Sequence, residues 1–328
     1  MGIKEEMKFY DIKAIAVQKH VFKMTMPGRR VNSRKAPKKT ERKTLPEGIV
    51  CVNDICYGDE YPNSFLDIWY ASADTSVKRP TFIYLHGGGN IFGDKVAGDP
   101  LAIQLKTELA YYKDLAARGF NVVSANYCFA PKYRAPSQIF QVNALFDFLS
   151  KNQDELHLDM NNVVLGGSSA GANYTAIYAL ALCDRAYAEK LGFVPSIKKD
   201  VVKALVIDEC CLNGEAILTS EGLTVLMNTW VGEKGLKNNL MRLFDVEKNI
   251  KDTYIPSYIT ASNVEKPFET CATLLRDKLN GIGVDCQMYY KPISESEEMV
   301  HGFMANFAKN KYSKECYEGM IAFIKKYL

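Results

Sequence analysis

The chain has 328 residues, 47% of them hydrophobic and 24% charged, with a formal net charge of +3. That composition is one of a globular protein able to bury a large core, and it argues against intrinsic disorder. Nine cysteines are an odd number without a CxxC pair, which disfavours zinc ribbons and a disulfide framework.

The charge is unevenly spread: residues 1–50 carry 13 Lys/Arg against 5 Asp/Glu, a net of +8. Arg29, Arg30, Arg34, Lys35, Lys38, Lys39, Arg42 and Lys43 form a basic run that reads as a solvated connector. No aromatic residue interrupts residues 28–43, so the stacking platforms of single-strand nucleic-acid binders are missing and no nucleic-acid partner is expected. The first twenty residues mix charges throughout, and no 18-residue apolar run occurs. The expectation is a cytoplasmic protein without secretory signal or stable membrane association, and one that a homo-oligomer would also fit.

In chain order, GIVCVNDICYG (48–58) and SFLDIWYAS (64–72) predict two short strands joined through Pro62 and Asn63. PTFIYLHGGG (80–89) predicts a strand running into a glycine loop, residues 99–119 a helix, and FNVVSANYCF (120–129) the next strand. A helix over 137–156, the strand NVVLGG (162–167), one long helix over 171–192 and the strand VKALVID (202–208) follow. SYITAS (257–262), a helix over 267–280, CQMYYKP (286–292) and a helix over 314–328 complete the pattern. Strands separated by helices imply an α/β domain with a mostly parallel central sheet flanked by helices, over residues 46–328. Between 209 and 253 the alternation lapses into a helical insertion, read as a lid over the carboxyl ends of the strands or as a decorative surface pair.

Gly167-Ser168-Ser169-Ala170-Gly171 matches G-x-S-x-G directly after a strand and at the start of a helix. Such a turn forces one side chain into an unusual backbone conformation and needs small neighbours, which selects Ser169 as nucleophile. The helix opening at Ala170 offers free N–H groups to a developing oxyanion. A structural serine or a phosphate-binding turn is the alternative. His86-Gly87-Gly88-Gly89 follows the strand TFIYL and reads as an oxyanion loop, with His86 as its brace.

Of four histidines, His20 lies in the N-terminal extension and His157 in a connection ahead of the nucleophile. His301 follows the last strand, where the order Ser, acid, His places the base. For the acid, Glu265 just after SYITAS is favoured over Asp208 at the end of VKALVID; Asp252 and Glu297 read as solvated charges.

These segments resemble the hormone-sensitive-lipase-like branch of the α/β-hydrolase superfamily, the bacterial esterases and lipases with an HGGG loop. YLHGGGNIFGD (84–94) is similar to the oxyanion segment of that branch, and NYCFAPKYRAP (126–136) to its Y-R-L-A-P-E-x-x-F-P stretch, with Cys128 in place of Arg. GGSSAGA (166–172) resembles G-D-S-A-G-G, with Ser168 for Asp and Ala172 for the second Gly. The resemblance implies the α/β-hydrolase fold, Ser169 as nucleophile, the N–H groups of Gly88, Gly89 and Ala170 as oxyanion hole, and His301 as base. It also implies a helical cap built from an N-terminal extension, here residues 1–45, and an insertion, here 209–253. The acid transfers poorly, because ITASNVEKPF sets Glu265 one position later than the family's Asp. The expected activity is hydrolysis of small, short-acyl carboxylic esters without metal or organic cofactor. The alternative is a small-molecule binding protein on the same scaffold, like the plant gibberellin receptors of this branch.

Overall fold

A computed structural model of the chain describes residues 3–25, 28–36, 42–45, 47–96, 108–232 and 240–328. The first part of the helix expected over 99–119, residues 37–41 of the basic extension and residues 233–239 of the insertion lie outside the described residues.

Nine strands are found among the described residues: β1 (Arg42–Thr44), β2 (Val50–Cys56), β3 (Phe65–Tyr70), β4 (Pro80–Leu85), β5 (Asn121–Ala125), β6 (Asp159–Ser168), β7 (Val202–Asp208), β8 (Ser257–Thr260) and β9 (Cys286–Tyr289). They form one sheet in the order β1-β2-β3-β5-β4-β6-β7-β8-β9. From β1 to β5 the pairing is antiparallel, and from β5 to β9 every pair is parallel.

The two-residue period of a strand sorts its side chains onto two faces. Phe82, Tyr84, Val122, Val164, Val206 and Tyr258 join one core with residues of α2 (Glu108–Ala117) and α11 (Lys311–Lys325). Their sequence neighbours Ile83, Leu85, Val123, Leu165, Ile207 and Ile259 join the other, with α3 (Ser137–Lys151), α4 (Ala170–Cys183) and α10 (Lys266–Gly281). The expected mostly parallel sheet flanked by helices is therefore what the chain forms. Helix α4 carries no charged residue and is buried from Ala170 through Ala181. Each large side chain it buries stabilises by about 1.5–3 kcal/mol, which outweighs the roughly 1 kcal/mol that Gly171 costs in helix propensity.

Two local expectations change. The helix over 171–192 is interrupted at Asp184, whose extended backbone ends α4 and whose side chain accepts from the Tyr187 N–H at 3.1 Å to start α5 (Arg185–Leu191). Aspartate is a strong N-cap, and here it overrides an apolar pattern that runs straight through it. Strand β1 lies inside the segment read as a connector, because edge pairing uses main-chain groups that charged side chains do not reveal.

The insertion folds as α6 (Gly214–Ile217), α7 (Glu221–Val231), α8 (Leu240–Phe244) and α9 (Val246–Asn249). Helix α7 packs against α1 (Ile3–Thr25). Both reach the loop after β4: Leu226 sits against Gly89, and Gln18 donates to the main-chain oxygens of Ile91 and Ala130 at 2.5 and 3.2 Å. Fully buried Trp230 fastens α7 to α3 through a 3.0 Å bond to Gln138.

Candidate active site

Strand β6 ends at Ser168 and α4 begins at Ala170, which leaves Ser169 alone to turn the chain. It does so at φ 55° and ψ −117°, a conformation that costs a side-chain-bearing residue of order 1–3 kcal/mol. The surroundings hold it there: the Ser169 N–H donates to Asp208 O at 2.8 Å, and Ser169 O accepts from the Asn173 N–H at 3.0 Å. The flanking glycines are required by space. A Cβ on Gly171 would lie 2.0 Å from Leu85 O, and one on Gly167 would lie 2.5 Å from the main chain of Gly171.

The loop after β4 is held just as closely. His86 is fully buried, which pushes its imidazole down to about 4 and keeps it neutral. It stacks on Tyr127 at 4.2 Å and donates from Nδ1 to Gly87 O at 2.6 Å. The Tyr127 hydroxyl donates back to His86 O at 2.5 Å. Gly88 and Gly93 both have φ 116°; a Cβ would lie 2.1 Å from Phe92 O at the first and 2.3 Å from His86 Nδ1 at the second. Gly89, at φ 57°, faces only the tip of Leu226, 2.8 Å from where a Cβ would be. Ala170 opens α4, so its N–H belongs to the first turn, where no intrahelical acceptor exists and the helix dipole is positive. Behind the loop, fully buried Lys95 bridges Asp54 and Asp67 at 2.8 and 2.7 Å, and Arg29 of the basic run pairs with Asp94.

His301 lies between β9 and α11, on a loop organised by Asn263. Asn263 accepts from the Met299 N–H at 2.7 Å and donates from Nδ2 to the main-chain oxygens of Lys291 and Glu297 at 3.0 and 2.9 Å. Two carboxylates approach the imidazole. Glu209 Oε2 stands 2.9 Å from His301 Nδ1 and also accepts the Gly302 N–H at 2.5 Å. Glu265 Oε2 stands 3.5 Å from the same nitrogen. Glu209 is completely buried, whereas the Glu265 side chain is 41% exposed and sits at the N-terminus of α10. Phe268, in the first turn of α10, covers the ring at 4.7 Å.

Asp208 is turned into the sheet, bonded to Thr260 and Ser168. Burial, together with the neighbouring charge of Glu209, pushes its carboxyl up to about 7. The turn after β7 thus links Ser169, through Asp208 O, with His301, through Glu209, while Glu265 approaches the same imidazole and Asn263 holds its loop; Glu209 and Asn263 are not among the residues the sequence predicts. Glu209 is the first residue past the end of β7, directly after Asp208. His20 is exposed on α1, and His157 stands in a turn ahead of β6 at φ 49°.

Among the described residues, no group of three or more His, Cys, Asp and Glu side chains is placed to hold a metal ion, and no helix is long and apolar enough to cross a membrane.

Solved structures share this architecture across nearly the whole chain. Esterase B from Lactobacillus rhamnosis superposes with a TM-score of 0.71 at 18% identity, covering 99% of this chain and 94% of that one. A hyperthermophilic esterase from Pyrobaculum calidifontis superposes at 0.62 and 18%, with the same coverage. The fold is the α/β-hydrolase fold. A family model described as BD-FAE matches residues 66–251, more than half of the chain, and the chain belongs to that family. It is 30% identical over 137 residues to Esterase LipC of Mycobacterium tuberculosis, which is 42% of this chain and 32% of that protein. It is 31% identical over 135 residues to an acetyl esterase of Salmonella paratyphi B, 41% and 37% of the two chains. The match spans about a third of the length of these curated relatives. The acetyl esterases fit the hormone-sensitive-lipase-like branch to which the HGGG loop pointed.

Proposed function

We propose that the chain hydrolyses small carboxylic esters with short acyl groups through an acyl-enzyme on Ser169. The observation that carries this reading is the turn at the end of β7: Asp208 O holds the main chain of Ser169, and the next residue, Glu209, holds His301. The acid-base half and the nucleophile half are thereby tied to one point of the backbone.

His301 Nδ1 faces carboxylate, so its proton rests there and Nε2 is left as the acceptor that takes the Ser169 proton. As the imidazole becomes charged, a buried carboxylate at 2.9 Å stabilises it more strongly than one in partial contact with water at 3.5 Å. We therefore assign Glu209 as the orienting acid and Glu265 as a second, weaker carboxylate. The N–H groups of Gly88, Gly89 and Ala170 receive the oxyanion, in a loop whose glycines keep side chains out. In this reading α1 and α7, which reach that loop through Gln18 and Leu226, act as a cap, the role expected of the N-terminal extension and of the insertion. The short-acyl preference draws on the relatives named acetyl esterase.

The test is p-nitrophenyl acetate hydrolysis together with fluorophosphonate labelling. The intact chain is expected to turn over the ester and to take one label, and Ser169→Ala to lose both. A ligand-induced thermal shift without turnover of any ester in a panel would instead mark a binding protein.

A further inference from the structure

Beyond the site itself, the structure holds a second chemical pair. Cys211 and Cys271 are free thiols with their sulfurs 3.6 Å apart, although 60 positions separate them in sequence. Cys211 lies two residues after Glu209, and its N–H donates to Asn173 Oδ1 in α4 at 2.8 Å. The turn 208–211 is therefore fastened to Ser169 through Asp208, to His301 through Glu209 and to the nucleophile helix through Cys211. Cys271 sits on α10, the helix that begins after Glu265 and lays Phe268 against His301.

The two thiols are not equivalent. Cys271 lines a small surface cleft of about 20 Å³ with Leu212, Asn213 and Asp245, and Cys211 does not. The cleft thus opens the Cys271 side of the pair, and not the Cys211 side, toward solvent. The hydrogen bond shared with Cys211 lowers the Cys271 thiol despite its burial, with the main-chain N–H groups of Asn213 and Leu212 adding to the effect. The same hydrogen bond, with burial, raises Cys211.

We infer that Cys211 and Cys271 are an oxidation site, joined as a disulfide by a small peroxide, and that this link acts on the turn carrying Glu209. The Cys271 thiolate attacks the peroxide, the O–O bond breaks, and Cys271 becomes a sulfenic acid with loss of hydroxide, which takes up the thiol proton as water. Cys211 sulfur then attacks Cys271 sulfur, the S–O bond breaks, and a second water leaves carrying the Cys211 proton. Two thiols and one hydrogen peroxide thus give one disulfide and two waters. Drawing the sulfurs from 3.6 Å to the ~2.05 Å of an S–S bond pulls α10 and the turn together. The part of the inference that concerns hydrolysis rests on the proposed function, and the cross-link does not.

The pre-reduced full chain is treated with hydrogen peroxide, and its free thiols are counted and peptides mapped without reduction. The expected result is a loss of two thiols, one new linked peptide pair containing Cys211 and Cys271, reversal by dithiothreitol, and a several-fold lower kcat for p-nitrophenyl acetate that reverses with it. Cys211→Ser is expected to stop the link and leave Cys271 as a dimedone-reactive sulfenic acid; Cys271→Ser is expected to show neither. A linked pair between other cysteines, or Cys271 carried to sulfinic acid with Cys211 still reduced, overturns the inference. A link that forms without changing kcat in an active enzyme overturns the regulatory half alone. A link in a chain that hydrolyses no ester removes the proposed function and leaves the oxidation site standing.

Discussion

The two halves of the site are built by different means. On the nucleophile side, the backbone is forced: Gly167, Gly171, Gly88 and Gly93 stand where a Cβ would lie within 2.5 Å of another backbone or ring atom. On the acid-base side, His301 is held by two carboxylates of unequal burial on loops that Asn263 ties together. A site half made by steric exclusion tolerates almost no substitution and writes itself into the sequence as glycine. A half made by side chains converging from separate strands leaves no local trace.

The largest expected effect breaks the first half. In Gly171→Ala the new methyl meets Leu85 O at 2.0 Å and His86 O at 2.6 Å, both main-chain atoms of the strand and loop beside α4. The helix must move, and with it Ser169. Overpacking of a core costs about 1–3 kcal/mol, and a rigid obstacle lies at or above the upper end of that range. We expect a fall in melting temperature of about 10 °C or loss of soluble protein, with hydrolysis abolished in whatever folds. Gly89→Ala meets only the end of Leu226 and a positive φ, so it is expected to fold with a loss of about 1–2 kcal/mol. Equal losses in the two variants, read by thermal melts, would show that the contrast between forced and yielding glycines is not real.

The second prediction sharpens the acid-base half. Glu209→Gln keeps the shape and removes the buried charge beside His301 Nδ1, and kcat is expected to fall by roughly 10²–10⁴. Glu265→Gln removes a partly exposed charge 0.6 Å further away by the difference of the two contacts, and the loss is expected to stay below about tenfold. Steady-state kinetics decide between them. The reverse order would return the role of acid to Glu265.

That contrast also explains what was legible from sequence. The alternation of strands and helices, the strand-turn-helix around Ser169 and the glycine loop at 86–89 follow from periodicity and from residues that only one backbone geometry requires. His301 was found by chain order among four histidines. Glu209 was not found, because its position depends on which residue leaves β7 with φ 61° and on the main-chain bond of Gly302, neither of which has a sequence signature. Asn263 escaped for the same reason, since its partners Met299, Lys291 and Glu297 come from a distant loop. The break at Asp184 was visible as a capping residue but hidden inside a continuous apolar pattern.

The smallest effect compares the two halves through their buried titratable groups. Burial holds His86 down to about 4, so the folded state lacks a proton that the unfolded chain binds below its ordinary 6.5. Its contribution to stability is present above pH 6.5 and is lost as pH falls toward 4. Burial, with Glu209, pushes Asp208 up to about 7, so the folded state keeps a proton that the unfolded chain releases near 3.8. Its contribution is present below pH 3.8 and is lost as pH rises toward 7. Between about pH 4 and 6.5 the two slopes oppose each other, each close to 1.4 kcal/mol per pH unit. Asp208→Asn removes one of them and leaves the other. Melting curves from pH 4.5 to 6.5 are therefore expected to steepen in this variant, with its melting temperature gaining about 4–8 °C on that of the parent chain across the interval. Titrating groups remote from Asp208 are common to both proteins and cancel in the difference. Parallel curves would mean that Asp208 is ionised in the folded chain over this range, and that its bonds to Thr260 and Ser168 outweigh its burial.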